Sequence, residues 1–246
     1  SKYIKLQTRQ FRELGVFGDF KNPYLTFKPQ YEAGILEVFA ELVDKGLVHK
    51  QLKPIHWSIG CQTALAEAEL EYKDISSPSI FVNFPVTKEA IERLIELNLV
   101  EHNETKNAKV CFMIWTTTPW TLTANLALVV HPRLRYVTIS YEKNGQKFIS
   151  LAAAERVGAI AAAGGLREGQ CRVSENSVGG ESLEGLRYVH PFVEKNPTDK
   201  DAYMVTCADF VTIEDGTGIV HSAPGHGLED YISGQNYGLA IYSPVD

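Results

Sequence analysis

The chain has 246 residues, of which 44% are hydrophobic and 22% charged, a balance that supports one folded domain or one domain with an appendage. Its formal net charge of −6 argues against indiscriminate binding of nucleic acid, because affinity for phosphates needs a basic surface, but it permits local reading of one flexible RNA end. No apolar run approaches the length of a membrane span and no signal segment opens the chain, so we expect no membrane association and a location in the cytoplasm or an organellar matrix.

The opening part of the chain has a helical pattern. Between residues 31 and 47 the apolar side chains recur at helical spacing, with Pro29 just before the start and Gly46 near the end. These apolar positions are Ile35, Val38, Phe39, Leu42 and Val43. We therefore predict a short helical segment over residues 1–56, followed by a separate domain over residues 57–246.

From Lys53 onward the pattern changes to short runs with strand character. These runs are residues 80–84, 110–115, 126–130, 136–140, 148–151, 203–207 and 218–220. Asn144 and Gly145 predict a hairpin turn between two of them. Two helices interrupt the strands, one capped by Thr87 and an alanine-rich one over residues 151–163. Short strands with few helices favour an α+β chain with a β-barrel-like core and peripheral helices.

The four cysteines are widely scattered and form no Cys-x-x-Cys pair. Closely spaced pairs are typical of zinc sites, and conserved-looking spacings in short secreted chains are typical of disulfide frameworks. We therefore expect four reduced thiols, mostly within strands. They are Cys61, Cys111, Cys171 and Cys207.

A run of hydroxyls follows the predicted strand over residues 110–115. Thr116, Thr117 and Thr118 are consecutive, and Pro119 comes directly after them. Proline fixes its own φ and biases the residue before it toward extended geometry, so the hydroxyls should stand on a rigid edge. Such an edge suits a polar ligand, although an ordinary β-rich edge with a turn accounts for the same residue types.

A second segment concentrates groups that bind ligands. Residues 215–231 read DGTGIVHSAPGHGLEDY, with glycines, two histidines and two carboxylates around a short apolar strand over residues 217–220. Glycines in the loop after this strand let backbone approach a ligand closely before Glu229 and Asp230. This density of glycine, histidine and carboxylate is typical of a binding site.

The two segments resemble the editing domain of isoleucyl-tRNA synthetase, the connective-peptide insertion that hydrolyses mischarged tRNA. Residues 115–122 and 216–231 look like that family's motifs. Further similar segments are residues 56–58, 63–72, 77–80 and 244–246. The related valyl and leucyl enzymes usually carry an arginine where this chain has Thr118, and an Ala-His-Asp run where it has residues 225–227. One departure is Thr123, where the family commonly has proline.

The resemblance implies a β-barrel-like fold and a hydrolytic activity without a cofactor. A pocket for isoleucine excludes valine by only roughly 1–3 kcal/mol, a limit for which the isoleucyl enzyme is the standard illustration. A second pocket therefore hydrolyses valine from tRNA(Ile) and excludes isoleucine by size. The implied partners are the 3′ end of tRNA(Ile) carrying valine and the rest of the synthetase, to whose body residues 1–56 would belong. The His-x-Gly-His and Lys-Met-Ser-Lys-Ser motifs for ATP are absent from the sequence, so we expect no amino-acid activation.

Roles follow residue by residue from the same resemblance. Asp230 matches the acidic residue that engages the substrate α-ammonium, although alone it is a loop carboxylate. Thr116, Thr117 and Thr118 would supply hydroxyl and backbone groups around the ester and ribose, although any one of them could be structural. The expected substrate-binding residues surround these and include His221 beside the substrate side chain, Thr121, the adenosine-flanking Trp115 and Trp120, and the loop-shaping Gly225 and His226.

No residue has the pattern of a protein nucleophile. Ser222 follows His221, but neighbours on a strand face opposite ways and no Gly-x-Ser-x-Gly elbow is present. We therefore expect direct attack by water. A metal held by His221, His226 and Asp230 is the rival mechanism, although their spacing is not that of a helical His-Glu-x-x-His site. Two other functions stay open: editing in a related valyl-type synthetase, and a non-catalytic module that binds the tRNA end.

Overall fold

The computed structural model describes residues 2–165 and 169–244. The chain forms two compact units, residues 1–51 and residues 52–246. None of the helices within the described residues is long and apolar enough to cross a membrane. The assignment of the first segment to the body of a synthetase stays a prediction.

The first unit contains two helices, α1 (Lys2–Glu13) and α2 (Pro29–Asp44). The helix predicted over residues 31–47 is confirmed as α2, with proline in its first turn, where a missing N–H costs nothing. It ends as Gly46 adopts a φ of 70° and the Leu47 amide donates to the Leu42 carbonyl at 3.0 Å, a glycine-dependent helix stop. Neither helix buries a residue.

The second unit contains all of the strands in the described part of the chain. They are β1 (Trp57–Ser58), β2 (Thr63–Ala64), β3 (Ile80–Pro85), β4 (Ala108–Thr116), β5 (Ala127–Val130), β6 (Arg135–Lys143), β7 (Gln146–Ala153), β8 (Cys171–Val173), β9 (Val178–Gly179), β10 (Met204–Cys207) and β11 (Ile219–Ser222). The helices of this unit are α3 (Lys88–Glu96), α4 (Val157–Ala163) and α5 (Leu228–Asn236). Each strand predicted from the sequence is confirmed, with ends that differ by a few residues.

The strands form two larger sheets and the small β1–β2 pair. The six-stranded sheet has the order β3-β4-β7-β6-β8, with β9 also beside β6, and the three-stranded sheet has the order β10-β5-β11. Within the first sheet β4 and β7 are parallel, while β3–β4 and β6–β7 are antiparallel. Asn144 and Gly145 have φ values of 53° and 75° and join β6 to β7 in the predicted hairpin.

The predicted α+β class is confirmed, while the sheets of the described residues are open and form no closed barrel. In the described residues the larger sheet ends at β3 and β8, and the smaller one ends at β10 and β11. Barrel closure requires the first and last strands to pair, and that long-range pairing leaves no mark in the pattern of individual strands. The architecture is α+β, with apolar side chains from both sheets sharing one core. Members include Phe112, Ile114, Leu128, Val130, Leu151 and Ile219.

The helices of the second unit show one confirmed and one incorrect prediction. Thr87 caps α3, its hydroxyl accepting from the Ala90 amide at 3.4 Å, as expected. The alanine-rich helix begins later than predicted, because residues 151–153 belong to β7, where Ala153 pairs with Tyr136. Alanine favours helices, but pairing with a buried neighbouring strand overrides that local preference.

Candidate active site

A cavity of about 460 Å³ lies where β4 and β11 end. The predicted site residues line it with one exception, Gly225. Those that line it are Trp115, Thr116, Thr117, Thr118, Trp120, Thr121, His221, His226 and Asp230. Two segments that are far apart in the sequence therefore meet at one place.

The threonines form a turn held by their own hydroxyls. Thr116 ends β4, and its Oγ1 accepts from the Thr118 amide at 3.1 Å. Thr118 has φ −123° and ψ 67°, outside the helical region, before a short 3₁₀ helix begins at Pro119. Thr121 lies in that helix, and its Oγ1 is 2.9 Å from the Thr118 carbonyl oxygen, which can accept its proton. Thr116 and Thr121 are buried while Thr117 and Thr118 are exposed, so the predicted rigid edge has an anchored side and an open side.

His221 lies on β11 with only 7% of its surface exposed. Its Nε2 is 2.9 Å from Thr121 Oγ1. The tautomer of His221 decides which of these two atoms donates, because Thr121 Oγ1 has one proton and also lies 2.9 Å from the Thr118 carbonyl oxygen. Burial, followed by the nearby His190 and His226, lowers the pKa of His221 from 6.5 to about 4. The ring is therefore neutral at pH 7, and its buried Nδ1 has no hydrogen-bond partner among the described residues.

Asp230 lies in the first turn of α5, which begins after Gly227. Its Oδ2 accepts from the Ala223 amide at 3.2 Å. Burial, aided by the adjacent Glu229, raises the pKa of Asp230 above its ordinary value of 3.8, against the effect of the Ala223 amide. A Cβ on Gly227 would lie 2.7 Å from Oδ2, so glycine leaves the space that the carboxylate needs. A partly desolvated carboxylate of this kind suits an ammonium group.

The aromatic and loop residues occupy the edge of the cavity. Trp120 is 55% exposed and meets the His226 ring edge-to-face, with centroids 5.3 Å apart. Gly225 does not line the cavity but allows close packing of two backbone segments. A Cβ there would lie 2.3 Å from the Tyr242 carbonyl oxygen. Trp115 is half-buried and lies against Gly216.

Two residues that line the cavity, Phe210 and Thr212, lie outside the segments predicted as a site. Beside them lie residues 215–218, which belong to the segment that the sequence indicated. Gly216 and Gly218 of that segment have φ values of 72° and 73°, which other residues rarely adopt. Phe210 and Thr212 carry no comparable signal.

Metal ligation has no support from the arrangement of side chains. Over residues 2–165 and 169–244, no three histidine, cysteine, aspartate or glutamate side chains come together as a group that could hold a metal ion. His221 Nε2 is also already engaged by Thr121. The residues present instead offer hydrogen-bond donors, acceptors and one carboxylate.

Comparison with known proteins settles the family. The family described as tRNA synthetases class I (I, L, M and V) matches residues 1–221. The chain belongs to this family. Isoleucine–tRNA ligase of Geobacillus thermodenitrificans is 44% identical over 99% of the chain, and that of Brachyspira hyodysenteriae is 43% identical over 100%. The chain spans 24% of the length of each of these class I synthetases, and the resemblance to isoleucyl-tRNA synthetase is confirmed.

Solved structures show which fold this class I segment has. The editing domain of the Plasmodium falciparum cytosolic leucyl-tRNA synthetase matches with a TM-score of 0.51 and 16% identity, over 68% of this chain and 71% of that one. The corresponding domain of P. knowlesi gives a TM-score of 0.51 and 16% identity over 64% and 60%. At such identities the likeness concerns the fold alone. The segment of the synthetase present here thus has an editing-domain fold.

Proposed function

We propose that this chain is the editing domain of an isoleucyl-tRNA synthetase and hydrolyses the ester that joins valine to the terminal adenosine of tRNA(Ile). The observation that carries the proposal is the convergence of Thr121, His221 and Asp230 on one cavity, although His221 lies 100 residues after Thr121. In an aminoacyl-adenosine the carboxylate would bind the α-ammonium and the neutral imidazole would lie beside the amino-acid side chain. The hydroxyls would surround the ester.

Asp230 would orient the substrate instead of attacking it. The ionised carboxylate would receive the α-ammonium, a charge-assisted contact strengthened by the partial burial of the site. Because burial raises its pKa, Asp230 loses its charge at a higher pH than an exposed aspartate. Binding of the cation opposes that effect, since an opposite charge favours the ionised form.

The threonine turn would receive the ester and ribose. Thr117 and Thr118 are exposed residues, and the Thr118 hydroxyl also lies 3.3 Å from that of Thr116. Thr116 and Thr121 are buried and hold the turn in place. The exposed ring of Trp120 stands at the edge of the cavity, where with Trp115 it would flank the adenosine. The roles are thus divided between residues that fix the geometry and residues that meet the substrate.

Water is the proposed nucleophile. Ser222 is 1% exposed and is not among the residues that line the cavity, which argues against its hydroxyl as the nucleophile. The vicinal ribose hydroxyl and the threonine edge would position the water, a gain that comes from proximity and orientation. The ester bond to the ribose breaks, releasing valine and uncharged tRNA.

Selection would operate by size. His221 is held against Thr121 at 2.9 Å, so its ring is a fixed part of the cavity wall. A wall that cannot retreat admits valine and excludes the longer isoleucine by steric overlap, the logic of a second sieve. This requires no attraction to valine.

The deciding experiment measures deacylation of valyl-tRNA(Ile) and isoleucyl-tRNA(Ile) by the purified chain. Initial rates should be much higher for the valyl ester and should not change when metal is exhaustively chelated. Absence of turnover with retained tRNA-end binding would indicate the non-catalytic module. Preferential hydrolysis of threonyl-tRNA(Val) would indicate a valyl-type function, and activity lost on chelation and restored by zinc would indicate a metal mechanism.

The first unit suggests a contact with the rest of the synthetase. Side chains on α2 are strongly exposed, including Ile35 at 55% and Leu36 at 66%. The chain spans only 24% of the length of its isoleucine–tRNA ligase relatives. We infer that this apolar surface is covered in the full-length enzyme, in the cytoplasm or an organellar matrix where tRNA is charged.

A further inference from the structure

Arg156 lies outside the cavity but holds a loop that lines it. It ends the short 3₁₀ helix Ala154–Arg156 that follows β7 and is half-buried. Its Nε donates to the Gly216 carbonyl at 3.0 Å, and its Nη1 donates to the carbonyls of Ile213 at 3.1 Å and Glu214 at 2.9 Å. Three carbonyls of one loop therefore meet one cation, an arrangement that suits the planar, multiply donating guanidinium.

The loop that Arg156 holds is packed against the start of the threonine turn. A Cβ on Gly216 would lie 3.2 Å from the Trp115 ring, so the Gly216 backbone lies directly on that ring. The next residue, Thr217, accepts a hydrogen bond from the Ala153 amide at 2.8 Å. The loop is thus bonded to the end of β7 through Ala153 and to the following 3₁₀ helix through Arg156, and it packs against Trp115, the residue just before Thr116.

We propose that Arg156 is a positioning residue for the editing reaction. It fixes residues 213–217, these residues hold Trp115, and Trp115 holds the threonine edge at the distance the ester requires. Arg156 itself does not touch the substrate. The inference rests on the proposed function, and it assigns a role to a residue that no motif in the sequence indicates.

The test compares Arg156→Met with Arg93→Met in the whole chain. Arg93 is an exposed arginine on α3 that pairs with Glu96 and does not line the cavity, so its loss should leave hydrolysis unchanged. Arg156→Met keeps much of the apolar stem but removes the three hydrogen bonds. We expect its kcat for valyl-tRNA(Ile) to fall about tenfold or more with a smaller change in KM, since small misplacement of reacting groups is costly.

Arg156→Lys is the second variant, which keeps the charge and removes the planar fork. It should lose kcat to a lesser degree than Arg156→Met. Hydrolysis at the parental rate by folded Arg156→Met or folded Arg156→Lys overturns the proposal. If both variants fail to fold, the proposal is also overturned, because Arg156 then supports the whole unit and not one wall.

Amide hydrogen exchange separates this proposal from the proposed function. The amides of Ala153 and Ile219 donate to the Thr217 carbonyl and hydroxyl respectively, so both report on the loop without any substrate. They should exchange faster in Arg156→Met than in Arg93→Met, while the other amides of β6 and β7 stay protected. If the parent chain does not hydrolyse valyl-tRNA(Ile), the proposed function fails while exchange still tests the loop, and unchanged exchange overturns the role of Arg156.

Discussion

The cavity has a buried half and an exposed half that differ in what their polar groups do. In the buried half Thr116, Thr121 and His221 are each only 6–7% exposed and are bonded to the protein. In the exposed half Thr117 and Thr118 are exposed residues, and Trp120 is 55% exposed. The Thr118 hydroxyl joins the two halves, since it lies 3.3 Å from Thr116 Oγ1 and 3.5 Å from Thr121 Oγ1. Buried groups that are bonded to one another fix the shape of the cavity, whereas exposed groups can reach a ligand. Substitutions in the two halves should therefore have different signatures.

The largest effect is expected from Asp230→Asn, which keeps the shape of the side chain and removes its charge. Loss of a hydrogen bond to a charged group costs about 1.5–3 kcal/mol, roughly tenfold to 150-fold in rate, and more where an ammonium is left unpaired. Deacylation of valyl-tRNA(Ile) measures it, with Asp199→Asn as the matched control at an exposed site outside the cavity. Parental activity in folded Asp230→Asn contradicts the ammonium contact.

Acid should act mainly on the buried half. The pKa of His221 is lowered from 6.5 to about 4 in the folded protein. Between these two pH values His221 is therefore protonated in the unfolded chain but neutral in the folded one, which favours unfolding. The stability due to neutral His221 is complete above pH 6.5 and is lost as the pH falls toward 4, by at most about 3 kcal/mol. Urea unfolding at several pH values measures this loss. His221→Gln, which cannot titrate, should show a flatter dependence, and an equal slope in both proteins contradicts the assignment.

Discrimination should respond to His221→Ala, which enlarges the cavity at a fixed wall. Because exclusion by size depends on that wall, the variant should hydrolyse isoleucyl-tRNA(Ile) at a rate roughly tenfold or more above the parent, about the value of one methylene. The ratio of initial rates on isoleucyl and valyl esters is the measurement. A ratio equal to that of the parent places the steric wall elsewhere.

The smallest effects are expected from Thr121→Val and Thr117→Val, two substitutions in the same turn that should change different properties. Thr121→Val removes the hydroxyl that lies 2.9 Å from His221 Nε2 without changing the shape of the side chain. A buried polar atom left without its partner costs about 1 kcal/mol or more, or about fivefold in rate. Thr117→Val alters an exposed hydroxyl without affecting that bond, so it should change KM more than the pH dependence of stability. Identical behaviour of the two variants would remove the distinction between the halves.

Local signals explain how much of the site the sequence predicted. Pro119 after three hydroxyls and the glycines around His221 are recognisable within a few residues, and the structure places both segments at one cavity. Thr87 and Gly46 similarly marked helix ends from their own chemistry. Such features depend on backbone preferences of the residue itself, so they survive without knowledge of the fold.

Features that depend on distant partners could not be predicted in this way. Residues 151–153 became strand because β6 lies beside them, and the open sheets reflect which strands remain unpaired. Phe210 and Thr212 line the cavity because the segment between β10 and β11 passes beside it. Arg156 gives no signal at all, since its three acceptors are carbonyls that every residue possesses.

Because β5 is the middle strand of the three-stranded sheet, the cavity cannot form during synthesis until β11 has been made. β5 follows the threonine turn closely, but its partner β11, which brings His221 opposite Leu128, is made much later. With His221 100 residues beyond Thr121, a ribosome adding about 5–20 residues per second needs about 5 to 20 s to supply it. Until then the nascent chain displays hydroxyls without their carboxylate or steric wall. If the proposed editing activity holds, unfinished protein therefore lacks the site that would hydrolyse an aminoacyl ester.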